Sequence, residues 1–458
     1  MTVRLSRDWD RTLIRLTVYS FAGITDVILS AVLFVCAVRL AEMTGSSMAT
    51  GGLFAIWAGV YLVSSLGAGQ VVNRRNVGLI LVASCTATAL LALSYVRWPG
   101  MRAMYVIIAI QGVATAFFFT PFQVFMKLVD EGQNKGVARS SGLYVFSWSS
   151  GFALGPFIAG FLWAYGWQVC HLFNAAASAM MAIGIFLLKH HAEAPPGGQT
   201  SCPPSEDIGG RASCPPLDGS GGRTSCPPSD DTGPIPLPAA PPTQSPQELT
   251  CCASGEQGGR ATRPSEKAAG SLPDLAWMAW VFGGLGCMIA TMIRSHFPVS
   301  AEAFSLSKPS QGTMFLLLSG TQAIVGFLLG WSRTWMYRPW PVIGFGLFGV
   351  LGMVLFAVGR DVALFWTAAV CFGVYAGSFY FYYVYHALVH PTRAARYVSI
   401  NEAVVGVMGI AGPAMGGMLA DRFGLPVPYA VSAGLVLVGI TVQAWLHHIK
   451  GGGHPARL

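Results

Sequence analysis

The chain has 458 residues, 53% of them hydrophobic and only 10% charged, with a formal net charge of +8, and its mean hydropathy is +0.54. Water-soluble domains carry nearer ~25% charged residues, so this composition excludes an ordinary soluble enzyme or binding module and points to a polytopic membrane protein in contact with a lipid bilayer. The basic residues cluster in loops on one side, which makes the positive balance a topology signal rather than a sign of nucleic-acid binding.

A helix needs roughly 20 mainly apolar residues to cross a bilayer, and twelve such segments recur along the chain. The first six are expected at about 15–39, 51–70, 77–96, 103–126, 138–162 and 168–188. The second six are expected at about 275–297, 312–331, 341–358, 362–388, 397–420 and 428–447. They are too long and glycine-rich for buried strands and lack the alternation of an outer-membrane barrel. The expected fold is an all-α membrane protein of twelve transmembrane helices in two six-helix bundles. The leading MTVRLSRDWDRTLIRL has no short apolar core closed by a cleavage site, so the first helix reads as a retained anchor. With the N-terminus inside, sixteen Lys and Arg fall in inside loops, seven at outside ends and five in a long central segment. Both termini are therefore expected in the cytoplasm, with the protein in an inner membrane.

The first helix contains FAGITDVILSAVLF (21–34), with Asp26 near its middle. A lone carboxylate there costs at least ~2.5 kcal/mol and is usually turned toward a cavity or a partner. Tyr19, Gly23, Asp26 and Ser30 share one helical face. Asp26 is read either as a proton-coupling acid or counter-charge for a cationic solute, or as a structural hydrogen-bonding group between helices. In helix 4, Gln111, Thr115 and Phe118 or Phe119 form a comparable polar and aromatic face. In helix 5, GFALGPFIAG (151–160) sets Gly151, Gly155 and Gly160 for close helix approach, while Pro156 removes an amide donor and permits a bend. Close packing and a moving hinge both account for these residues.

Residues 189–274 replace apolar runs with Pro, Gly, Ser and charge, and a unit repeats as GGQTSCPPSEDI, GGRASCPPLDGS and GGRTSCPPSDDT. Such composition cannot offset the entropy of ordering, so a disordered cytoplasmic linker is expected. Cys202, Cys214, Cys226, Cys251 and Cys252 lie in it. Their spacing does not match the paired ligands of zinc sites, and a spacer is the favoured reading over a metal site. The expected divisions are an N-terminal bundle at 1–190, the linker at 191–274, a C-terminal bundle at 275–450 and a tail at 451–458.

In the second half, Arg294 stands close to the outer end of helix 7, where it either snorkels to the headgroups or turns inward to an anionic solute or a carboxylate. His296 and Glu302 are expected at the interface. Gln322 sits midway along helix 8, a second cavity candidate with Gln111. GFGLFG (344–349) lies inside an apolar helix with no preceding strand and is not a dinucleotide fingerprint. In helix 10, Tyr375, Phe379, Tyr382 and His386 share a face, with His390 one turn on. That face either holds an organic solute or is helix packing, and packing is favoured; a histidine metal pair is disfavoured. In helix 11, Glu402 beside Asn401 is a candidate for coupling or gating, followed by Gly409, Gly412, Pro413, Gly416 and Gly417.

The two halves repeat. A shift of 261 places Phe54, Gly59 and Gly69 on Phe315, Gly320 and Gly330, and Gly112-Val113 on Gly373-Val374. A shift of 257 places Ala138-Arg139 on Ala395-Arg396, and Gly155, Pro156 and Gly160 on Gly412, Pro413 and Gly417. Both halves start on the same side, so they are parallel repeats about an axis along the membrane normal.

With that repeat, the glycine-proline motif of helix 5 and the loop GQVVNRRN (69–76), the chain resembles the major facilitator superfamily over nearly all its length outside the linker. Gly69 and Arg74 fit the family's loop between helices 2 and 3; Asn73 stands where Asp is usual and Asn76 where a second Gly is usual. In the family this loop locks one conformation by charged contacts. A closer textual match, GMLADRFG (417–424), follows helix 11 on the outer side and is read as a loop cap. The resemblance implies a secondary active transporter, monomeric, moving a small-molecule substrate by alternating access, with protons as the candidate coupling ion. A transporter-like receptor or assembly protein is the alternative. No nucleophile, phosphate loop or metal signature stands in a usable context, so neither enzyme activity nor a cofactor is expected.

Overall fold

The computed structural model describes residues 2–73, 76–130, 137–193, 276–331, 335, 338–388 and 394–451. Twelve α-helices follow in chain order: α1 (Thr2–Thr44), α2 (Ser47–Val71), α3 (Val77–Arg97), α4 (Met101–Asp130), α5 (Val137–Leu162), α6 (Trp167–Glu193), α7 (Ala276–Ala303), α8 (Lys308–Leu329), α9 (Pro339–Val358), α10 (Val362–Leu388), α11 (Ala394–Phe423) and α12 (Val427–Gly451). Each contains a stretch long and apolar enough to cross a membrane, and the described residues include no strand. The helices belong to one compact unit. The repeats with their cysteines, and the linker expected at 191–274 beyond Glu193 and before Ala276, lie outside the described residues, as do Arg74 and His390.

Two helices outrun their apolar cores. α1 continues to Thr44, where Gly45 takes a φ of 61° and ends it in the left-handed conformation that glycine adopts freely. α7 passes through Pro298 to Ala303, past the end expected at 297. Proline there cannot donate to the carbonyl four residues back, which belongs to Arg294, so the helix is locally weakened beside its one charged residue in the inner part of the span.

Packing follows the internal repeat. α5 lies against α1 of its own half and α8 of the other; α11 lies against α7 of its own half and α2 of the other. A β-carbon on Gly155 would strike the backbone of Val27 and the hydroxyl of Ser30, and one on Gly412 would strike Met288 and Thr291. These targets are again 261 positions apart. Across the halves, Gly51 sits on the carbonyl of Pro413 and Gly312 on that of Pro156, while Gly417 meets Ser47 and Gly160 meets Lys308. The absence of side chains at these glycines is what lets the helix backbones touch.

Candidate functional site

A cavity of about 200 Å³ opens between the halves. Asp26 of α1, Thr115 of α4 and Trp148 of α5 border it from the first half, and Cys287 and Arg294 of α7, Tyr380 of α10 and Glu402 of α11 from the second. Phe54, Trp57 and Tyr61 present one aromatic stripe of α2, and Tyr144, Trp148 and Phe152 one of α5. The walls are aromatic with a few charged groups placed among them, the composition of organic-solute sites.

Asp26 is 2% exposed, and its Oδ2 has no hydrogen-bond partner among the protein atoms. Ser30 donates to the Asp26 backbone carbonyl (2.6 Å) rather than to the carboxylate. Arg294 turns inward: its guanidinium lies over the Phe152 ring at 4.5 Å, a cation–π contact across the halves. Its Nη2 is buried and has no partner. The two charges are within electrostatic range of each other but form no ion pair within 4.0 Å among the described residues. Glu402 accepts a hydrogen bond from the Tyr61 hydroxyl across the halves (3.4 Å). Tyr61 is also in range of Asp26 and Tyr144, so the acids gather around one tyrosine while the guanidinium stands with Phe152 and Tyr380.

The other expected site residues lie elsewhere. Tyr19 is buried, and its carbonyl accepts from Ser147 of α5 (2.6 Å). Gln111 donates to Thr88 (3.3 Å) and faces a small recess within the first half. Gln322 donates to Ser149 (2.7 Å), a bridge between α8 and α5. Tyr375 and Tyr382 border a second small recess with Phe282, Trp335 and Gln443, all from the second half, and Tyr382 meets His386 edge-on at 4.4 Å. The cavity is instead met by Tyr380, Tyr383 and Val384, the adjacent face of α10. Among the glycines, Gly151 packs on Gly23 and Asp26 of α1, whereas Gly69 has no neighbour within 4 Å of where a β-carbon would stand.

At the end of the bundle where α1 stops and α2 starts, polar groups join the halves. The Asp421 carboxylate accepts from the Ser46 hydroxyl (2.7 Å), the Ser47 amide (2.9 Å) and the Met48 amide (3.2 Å). The GMLADRFG segment thus caps a helix of the other half, where unpaired amides and the helix dipole favour an anion. His296 is not interfacial: it is fully buried and bonded to the Ser47 hydroxyl and the Leu425 carbonyl, both at 2.9 Å. Glu302 pairs with Lys308, which also reaches Glu42 of α1 at 3.0 Å. At the opposite end, Asn73 and Asn76 exchange side-chain-to-amide hydrogen bonds of 2.8 and 3.1 Å, closing the α2–α3 turn locally.

The sequence profile of the Major Facilitator Superfamily matches residues 16–389. Among solved structures, the nucleoside transporter NupG is similar at 10% identity, with a TM-score of 0.59 and 96% of this chain and 99% of that one covered. A bacterial homologue of the human lysosomal transporter Spinster, in an inward-facing and occupied conformation, is 14% identical at a TM-score of 0.55, covering 97% and 99%. The human organic anion transporter MFSD10 is 12% identical at a TM-score of 0.51, covering 93% and 99%. These likenesses show the fold. No curated protein matches the chain.

Proposed function

Since the chain belongs to the Major Facilitator Superfamily and is a multi-pass membrane transporter, we propose that it is a secondary active transporter of a small organic solute, driven by alternating access about the central cavity. The observation that carries this reading is the cavity itself: one chamber walled by both repeats, with a buried carboxylate oxygen (Asp26 Oδ2) and a buried guanidinium nitrogen (Arg294 Nη2) that have no partner in the protein. Parallel repeats support rocking of one half on the other, and the paired glycine contacts of α5 with α8 and α2 with α11 supply matched surfaces on which to rock. Asp26 is the proposed proton carrier, with both termini in the cytoplasm of an inner-membrane protein acting as a monomer and without catalysis.

Solutes that raise the melting temperature of the purified protein would be tested for uptake into proteoliposomes under an imposed pH gradient. The proposal expects gradient-driven accumulation by wild type and its loss in Asp26→Asn. Wild-type uptake indifferent to the gradient, or full accumulation by Asp26→Asn, removes the coupling role.

A further inference from the structure

The cavity's charges are segregated. Under the 261-residue shift that superposes Val27 on Met288 and Ser30 on Thr291, Asp26 falls on Cys287 and Leu33 on Arg294. In the shared frame the backbone positions of the acid and the base are two helical turns apart in depth, about 10 Å at roughly 1.5 Å per residue. A helical side chain leans toward its helix N-terminus, so the arginine reaches back toward the acid from the deeper level. A smaller recess bordered by Arg294 also takes in Ser30 and Leu33, the residues one and two turns beyond Asp26 along α1, together with Phe152.

The two groups form no ion pair with each other within 4.0 Å; Arg294 rests against Phe152 and Tyr380, but its buried Nη2 and the buried Oδ2 of Asp26 have no partner in the protein. A buried polar atom left without a hydrogen-bond partner is costly, so an occupant that satisfies both gains most. An amine alone leaves Nη2 of Arg294 unpaired; a carboxylate alone leaves Oδ2 of Asp26 unpaired; a neutral ring leaves both. A solute with both charges satisfies both, its reach extended at each end by a charge-assisted hydrogen bond of roughly 2.8 Å. The walls of the same cavity are aromatic: Trp57 stacks on Tyr61 at 5.6 Å, and Trp148 meets Tyr380 edge-on at 4.8 Å across the halves. A volume of about 200 Å³ limits the body to one or two fused rings.

We propose that the cavity takes an aryl-bearing zwitterion, its ammonium end at Asp26, its carboxylate at Arg294 and its ring between the Trp57 and Trp148 walls. This names the substrate class of the site and rests on the transporter reading. The test is calorimetric titration of the full-length purified protein with two isosteric series: phenylalanine, phenethylamine and 3-phenylpropionate; and tryptophan, tryptamine and indole-3-propionate. In at least one series the zwitterion binds at least tenfold more tightly than either singly charged analogue. Asp26→Asn brings it level with the acid-only analogue, and Arg294→Gln brings it level with the amine-only one. A singly charged analogue matching the zwitterion in both series, no binding by any member, or a ranking unchanged in both variants overturns the proposal. Where a variant fails to give monodisperse protein, the wild-type ranking decides. A protein that ranks the series as expected but shows no flux sinks the transporter reading alone; an active transporter with another ranking sinks this one alone.

Discussion

The first six helices and the last six touch each other through the same backbone contacts but place unlike side chains in them. Gly51 on Pro413 mirrors Gly312 on Pro156, and Gly155 on α1 mirrors Gly412 on α7. At equivalent positions, the first half has Asp26 where the second has Cys287, and Leu33 where the second has Arg294. The far end differs likewise: an acid from α11, Asp421, caps α2, whereas a base at the start of α8, Lys308, ties α1 and α7. Close helix approach depends only on backbone and on missing side chains, so duplication preserves it. Recognition needs polarity with a direction, and symmetry would cancel it.

The largest expected effect tests the shared frame. Gly155→Leu and Gly412→Leu each drive a side chain into backbone and should lower apparent stability by about 3 kcal/mol or more, and by like amounts. Gly69→Ala, in open space, should be neutral or stabilising by up to ~1 kcal/mol. Thermal melts in detergent check this, and unequal losses at Gly155 and Gly412 would break the equivalence. Next comes the asymmetric seal: Asp421→Asn removes a charged cap and should cost about 1 kcal/mol. Lys308→Gln should cost less, under about 1 kcal/mol, and its effect should vanish in high salt, since the pairs are partly exposed. The smallest contrast lies on α10. Tyr380→Phe, at the cavity, should weaken solute binding severalfold by calorimetry, while Tyr382→Phe, in the separate recess, should leave it within twofold.

Much of this organisation is legible in the sequence. Asp26, Arg294 and Glu402 stand out because a charge within an apolar span is costly wherever it points, and all three border the cavity. The repeated Gly-Pro-Gly spacing foretells where helices meet, though not which helix each glycine meets. Periodicity fails on α10, where Tyr375, Phe379 and Tyr382 compete with Tyr380 and Tyr383: a helix apolar all round carries no stripe to say which face meets the chamber. The α2 aromatics Phe54, Trp57 and Tyr61 were detectable by their spacing of three and four. His296 and Asp421 were not, because their partners come from across the fold, nearly 130 or more positions away.

The central claim is that the two matched halves move against each other, opening and closing the end held by Asp421 and Lys308. Spin labels at Met43 of α1 and Phe423 of α11, 45% and 67% exposed, report the separation of the halves at that end. Pulsed electron-spin distance measurement in nanodiscs should show a short and a long population. The Asp421→Asn, Lys308→Gln double variant should shift weight to the longer distance. A single distance, identical in wild type and double variant, would contradict the account.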